Sequence, residues 1–334
     1  MGQDFSSVIA ESVITLTRNL DGVVYPRLLD DEKGEMVTKK IIDAASKTGT
    51  YKIYQMNMLP RVDAFVMAEK GVVSQKLASS NYGAVLLAGD SNLSIVVNDT
   101  DHIVIKCKSN GLSLDKAYKT ASDVDDGVLP KLPIAFDEDI GFLNSSLSRV
   151  GTGLKAEVKL FLPALAMMGN IEEIASDFNR EGITVEGLAG SKLETVGYNY
   201  VLYNTKSLGK SEREIIQEVM MYASSLADAE LRARDTLYKT NKEKIIDCIM
   251  RAWGVLTNAY LLSYNEMVEN IALVKLGIYY NVIRLKDYMI LQKLEDMLGT
   301  YSIEKSIGME LDQLSENKTR AEKVVGLLKP IRIK

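Results

Sequence analysis

The chain has 334 residues, 46% hydrophobic and 25% charged, which is an ordinary globular balance with length enough for two domains. Its formal net charge of −5 provides no overall electrostatic drive toward nucleic acid or an anionic membrane surface. One histidine and two cysteines, with no CxxC, cannot build a usual Cys/His zinc site, so no metal is expected.

The opening MGQDFSSVIAE is acidic and polar, unlike a secretory signal, and no apolar run approaches the ~18 residues of a membrane span. A cytoplasmic protein is expected, with Cys107 and Cys248 as buried free thiols. Three strands are predicted in AVLLAGDSNLSIVVNDTDHIVIKC (84–107), with turns at GDSN and NDTD. Connections this short make them antiparallel. On the last strand His102, Val104 and Lys106 share one face, and Ile103, Ile105 and Cys107 the other. GLKAEVKLFLPAL (153–165) predicts a strand that Pro163 ends, and EGITVEGL and YNYVLYN predict two more. Regular strand–helix alternation is absent, which predicts an α+β fold with an antiparallel sheet.

Near residue 210 the pattern changes. SERE (211–214) is a capping box, followed by apolar residues at helical spacing from Ile215 to Ala227; SYNE (263–266) repeats the signal. Residues 211–334 read as a separate all-helical domain of four or five helices, after a sheet-bearing domain over 1–210. Trp253 reads as a core or interface residue, and Arg232 and Arg234 as part of a solvated helix face.

Chemistry is scarce. There is no GxxxxGK[ST] loop, no GxGxxG after a strand and no HExxH, and GTG (151–153) reads as a turn. His102 beside Asp101 offers acid–base groups, but adjacent strand residues point to opposite faces, so a Ser–His–Asp triad needs the turn to redirect Asp101.

Taken together, VIAESVITLTRNLDG (8–22), residues 84–103, IAFDEDIGFLNSSLSRVGTGLKAEVKLFLPAL (134–165), residues 181–216, ELRARDTL and RAWGVL resemble the bacterial protein arginine kinases of the McsB type, relatives of creatine and arginine kinase. The resemblance implies an antiparallel-sheet guanido-phosphotransferase domain followed by a helical domain, and transfer of phosphate from ATP to a guanidinium. That chemistry needs cations around the triphosphate and carboxylates around the guanidinium.

The chain departs from the family's pattern at those points. Val13 and Thr15 stand where the S-x-R-x-R motif has its arginines, while Arg18 and Asn19 are retained. Gly83 and Val104 occupy two further arginine positions, and Thr100 that of the catalytic base in N-E-E-D-H. Ser146 replaces the active-site cysteine in SLSR, Lys155 the arginine of G-T-G-L-R, Glu186 that of V-R-G, and Ser191 the likely carboxylate of the substrate loop. Each missing charge-assisted contact is worth about 1.5–3 kcal/mol, and Lys does not reproduce a bidentate Arg. In the helical domain ENKTRA (316–321) keeps only Arg320 and Ala321 of a phosphoarginine-recognition motif, R-D-x-x-R-A.

The resemblance therefore implies a pseudokinase acting as regulator or scaffold in stress response and protein quality control, with no cofactor. Its implied partners are an active kinase paralogue, a McsA-type activator, ClpC or CtsR, with homo- or heterodimerisation. Two alternatives stand beside it. One is an active ATP- and magnesium-dependent kinase with a site rebuilt from Asp99, Asp101, His102, Lys155 and Glu194; the other is a phosphoarginine-binding adaptor using Arg320.

Overall fold

The computed structural model describes residues 5–89, 91–188 and 193–329. Its strands are β1 (Ile9–Arg18), β2 (Lys52–Gln55), β3 (Ala84–Leu87), β4 (Leu93–Val97), β5 (Ile103–Asn110), the short pair β6 (Phe136–Asp137) and β7 (Gly141–Phe142), β8 (Leu154–Phe161), β9 (Ile183–Gly187) and β10 (Asn199–Asn204). Eight form one sheet in the order β2-β3-β4-β5-β1-β8-β10-β9; β6 and β7 form a separate hairpin. The helices are α1 (Asp31–Ala45), α2 (Arg61–Glu69), α3 (Gln75–Ala78), α4 (Leu114–Val128), α5 (Pro163–Met167), α6 (Ile171–Arg180), α7 (Glu212–Asn258), α8 (Tyr264–Tyr279), α9 (Met289–Met297), α10 (Thr300–Ile307) and α11 (Gln313–Leu328). The antiparallel sheet and the helical C-terminal region are the α+β architecture anticipated above.

The chain forms two compact units. The first comprises residues 1–160, 175–185 and 201–226; the second comprises 161–174, 186–200 and 227–334. Helix α7 thus contributes its beginning, to Leu226, to the first unit and its remainder to the second.

In the first unit the β3–β4–β5 meander forms because turn-forming residues interrupt β-branched runs. Asn98 takes a left-handed φ of 58°, which Asn tolerates, and its N–H closes the turn on the His102 carbonyl at 3.0 Å. Strand alternation sorts the two faces. Ile14, Leu16, Ile95, Ile105, Ala156 and Val158 are buried on the face that meets α1 and α4. On the other face Val85, Val96 and Val104 join Met56, Ala64, Val73, Leu77 and Ala78, beneath α2 and α3. Helix α7 opens with the predicted capping box: Glu214 N–H donates to Ser211 Oγ at 3.3 Å, and Ser211 N–H to Glu214 Oε2 at 2.8 Å.

The second unit is built from helices around Ile249, Ala252, Trp253, Leu256, Met267, Ile271, Val274, Ile303 and Val324. Trp253 is in the core. Arg234 is not on a solvated face: it is fully buried and its Nε lies 2.6 Å from Glu230 Oε1, while Arg232 stays exposed. Glu230 also accepts from the Ala164 and Leu165 N–H groups at 3.1 and 2.9 Å, so its carboxylate caps the start of α5 and pairs with the arginine at once. Only one thiol is buried; Cys248 is exposed because its position falls on the outward side of α7.

Candidate functional site

The centre of the sheet places β1 between β5 and β8. Thr15 lies opposite Lys106 on one side and Lys155 on the other, Val13 opposite Lys108 and Glu157, and Glu11 opposite Lys159. Cross-strand partners share a face. This face therefore carries four lysines and two glutamates where a phosphate-binding surface would need several guanidinium groups.

The lysines are largely engaged. Lys155 Nζ sits 2.5 Å from Glu157 Oε1 and 4.1 Å from the centroid of the Tyr203 ring; Lys159 Nζ is 2.7 Å from Glu11. Lys106 is partly buried, with Nζ at 3.4 Å from the Gly71 carbonyl, and burial pushes its pKa below the usual lysine value. Thr15 is 8% exposed and its hydroxyl has no hydrogen-bond partner among the described residues. Arg149 enters the same neighbourhood. Its Nη1 donates to the Leu154 and Asn204 carbonyls at 3.4 and 3.3 Å, and burial lowers its pKa against the opposing influence of Glu157.

Two of the expected phosphate-ligand positions are packed into apolar core. Val104 belongs to the cluster beneath α2 and α3. At Gly83 a Cβ would collide with the Leu77 side chain, a member of that same cluster. Any larger side chain at 83 requires Leu77 to move. This half of the face presents packed apolar side chains at positions where the resemblance expects cations.

The retained residues are structural. Arg18 donates from Nε and Nη2 to Asp125 Oδ2 at 3.1 and 2.6 Å and from Nη1 to the Thr17 and Thr152 carbonyls, with its guanidinium carbon 3.6 Å over the Phe142 ring centroid. Asn19 donates to Asp101 Oδ1 at 2.6 Å and accepts the His102 N–H at 3.0 Å. Asp101 also accepts the Ser145 N–H at 2.8 Å. His102 is fully buried. Its Nδ1 accepts the Leu20 N–H at 3.2 Å, so Nε2 carries the proton and donates to the Val24 carbonyl at 3.1 Å. Burial lowers its pKa. Asp101 and His102 thus face separate partners, which leaves no triad, and both tie the segment after β1 to the start of β5. Asp99 accepts from Ser74 Oγ at 2.6 Å, beside the start of α3.

Of the other positions, Thr100 is exposed on the NDTD turn and Ser146 is exposed with Oγ 2.8 Å from Ser148 Oγ. Glu186, in the second unit, is partly buried on β9. Glu194 belongs to that unit too, and Ser191 lies outside the described residues. Arg320 is fully buried: Nε donates to the Leu298 carbonyl at 2.8 Å, Nη1 to the Leu262 carbonyl and Asn317, and Nη2 to Glu316, which Thr300 also contacts. The guanidinium is consumed by its own chain. Among the described residues no three His, Cys, Asp or Glu side chains gather as a metal-ligand set.

Sequence reasoning missed Lys106, Lys108, Lys159 and Arg149. The period-two KCK of β5 and KAEVK of β8 carried the signal for the lysines; motif comparison looked only for arginines.

Residues 32–233 match the model of the ATP:guanido phosphotransferase C-terminal catalytic domain, and residues 242–332 that of the protein-arginine kinase McsB C-terminal domain. The protein-arginine kinase of Halothermothrix orenii is 35% identical over 94% of this chain and 91% of its own length. That of Clostridium tetani is 32% identical over 98% and 96%, and that of Bacillus subtilis 32% over 84% and 78%. Among solved structures, the duplicated taurocyamine kinase of Schistosoma mansoni with bound transition state analog components aligns with a TM-score of 0.62 at 21% identity, over 75% of this chain and 38% of that one. Lombricine kinase aligns with a TM-score of 0.59 at 19% identity, over 69% and 68%. These two likenesses concern the fold.

Proposed function

This chain belongs to the McsB-type family of protein-arginine kinases, and from that premise we propose that it is a non-phosphorylating member acting as a regulator or scaffold. The observation that carries this reading is the apolar cluster holding Val104 and the Leu77 side chain against Gly83, which fills two positions where the family places phosphate-binding arginines. Val13 and Thr15 remove two more, and Thr100 removes the base that would take the guanidinium proton. Loss of several contacts that act together weakens transition-state stabilisation at its largest source. The intact sheet, helical unit and buried polar anchors leave a stable body for protein contacts. Fitting partners are an active paralogue, a McsA-like activator, ClpC or CtsR in the cytoplasm, in a homo- or heterodimer.

A second reading is residual nucleotide binding with phosphoryl transfer, the activity named for the curated relatives. The four lysines flanking β1 favour it, since they keep positive charge on the face. Titration calorimetry with Mg-ATP and Mg-ADP, run beside the Bacillus subtilis relative, separates the two when paired with phosphoarginine mass spectrometry. The scaffold reading expects no phosphoarginine above background. Sustained transfer that a Lys155→Ala variant abolishes overturns it.

A further inference from the structure

The first unit has an open cleft of about 330 Å³ that shares no lining residue with the lysine-bearing sheet face. It lies between the β6–β7 hairpin, the Gly151–Thr152 turn and the Ser207–Glu212 segment that opens α7. Its floor is rigid. Phe142 is held edge-on against Phe136 at 5.1 Å and sits under the buried Arg18 guanidinium. Gly151, at φ 110°, lets its backbone approach Leu208 so closely that a Cβ would strike the Leu208 and Ser207 backbone. The exposed Asp137 accepts the Asp139 and Ile140 N–H groups at 2.9 and 3.1 Å, closing the hairpin tip.

Three apolar side chains line this open cleft yet remain exposed: Phe136 at 56%, Ile140 at 42% and Leu208 at 53%. Within the described residues of the first unit, nothing covers these three side chains beyond the Phe136–Phe142 ring contact. The charges are one-sided. Asp139 and Glu212 line the cleft, and Asp126 and Glu212 both act on the buried Asp125 nearby. The one lining cation, Lys210, is neutralised by both oxygens of Glu218 at 2.7 and 2.6 Å. An apolar wall under a net negative rim fits a side chain with an aliphatic stem and a cationic head, because Lys and Arg bury their methylenes while the head stays at the polar edge. Neighbouring bulky apolar residues of the same peptide would cover Phe136 and Leu208.

We infer that the cleft between the β6–β7 hairpin and the start of α7 docks a basic peptide segment in which Lys or Arg alternates with bulky aliphatic residues. This holds whether or not the chain transfers a phosphoryl group. Peptide charge sets association and specificity, and the apolar contacts set residence.

The test is fluorescence anisotropy of the full chain with a labelled Gly-Lys-Leu-Arg-Leu-Lys-Gly peptide and a counterpart bearing Glu for each Lys and Arg. Saturable binding of the basic peptide alone is expected. Leu208→Ser and the pair Asp139→Asn with Glu212→Gln should each weaken it by about tenfold, the scale of one lost apolar or charge contact. Glu243→Gln, an exposed carboxylate in the second unit, should leave it unchanged. Thermal melts confirm folding of each variant, and Leu208→Ser alters only a surface side chain. Absence of saturable binding, equal binding of the acidic peptide, or equal weakening by Glu243→Gln overturns the assignment. So does a dimer in sedimentation that Leu208→Ser dissolves while no peptide binds, which would make a second copy the occupant.

Discussion

His102 is the only histidine in the chain, so its ionisation can be followed by difference. Burial is the dominant influence on its ring and lowers its pKa below the ordinary 6.5, while the Val24 carbonyl and the Asp101 charge act in the opposite direction. The unfolded chain takes up this proton as pH falls through 6.5, whereas the folded chain keeps the ring neutral to lower pH. Stability from this group is therefore complete above 6.5 and is lost as pH falls below it toward the folded value. Protonation of the unfolded chain between pH 7.5 and 5.5 shifts the equilibrium by at most a factor of about 10, or ~1.4 kcal/mol, the ceiling set by a ring that stays neutral throughout when folded. His102→Asn removes the titration. The variant loses about 1–3 kcal/mol at every pH through its altered hydrogen bonds, but its stability lacks this pH-dependent step. Urea unfolding followed by circular dichroism at pH 7.5, 6.5 and 5.5 measures both proteins, and the shared carboxylates cancel in the comparison. Native and variant stabilities that run parallel over that range would refute the buried neutral ring.

Asp125→Asn strips the buried Arg18 guanidinium of its carboxylate and should lower stability by about 3–5 kcal/mol in the same urea assay. Gly83→Arg should cost about 3 kcal/mol or more by overpacking against Leu77; combining it with Leu77→Ala should give a coupling of about 0.5–3 kcal/mol, and strict additivity would contradict the shared cluster. Glu316→Ala leaves Arg320 buried beside carbonyls and an amide alone, and a loss of about 3 kcal/mol should appear in the thermal transition reported by Trp253 fluorescence. Brief alkylation under native conditions should add one label, mapped by mass spectrometry to the exposed Cys248 with Cys107 protected.

The strands, their antiparallel pairing and the helix caps were legible because each rests on local chemistry. NDTD closes a turn wherever it lies beside two β-branched runs, and Ser211 with Glu214 caps a helix from within four residues. Long-range polar partners were not legible. Arg18 finds Asp125 on α4, and Arg320 finds carbonyls at Leu262 and Leu298, at separations for which a sequence offers no register. The solvated reading of Arg234 failed for the same reason. Helical spacing gave its direction, but Phe161 and the Tyr279 ring decided its burial. At the site, the sequence named position by position where the resemblance expects a charge that this chain does not carry. It could not identify the lysines arriving from adjacent strands, because they become neighbours only through the β1–β5 and β1–β8 registers.

Those registers also explain why the substitutions form two groups. Val104 and the Leu77 side chain over Gly83 sit under α2 and α3, where the loss of a cation is offset by apolar packing, and reversal at one position meets the other's cluster. Thr15 and Lys155 lie on the part of the face where charge persists but is paired within the protein, Lys155 with Glu157 and Lys159 with Glu11. The first group closes space and the second satisfies charge internally. The Lys155–Glu157 and Lys159–Glu11 pairs are mostly buried, so a ligand that displaced a carboxylate would have to replace the charge it removed; emptying one buried leucine site costs about 2–5 kcal/mol. On the proposed non-phosphorylating reading, the apolar half of the face obstructs phosphate by filled space and the lysine half by charge already paired within the protein.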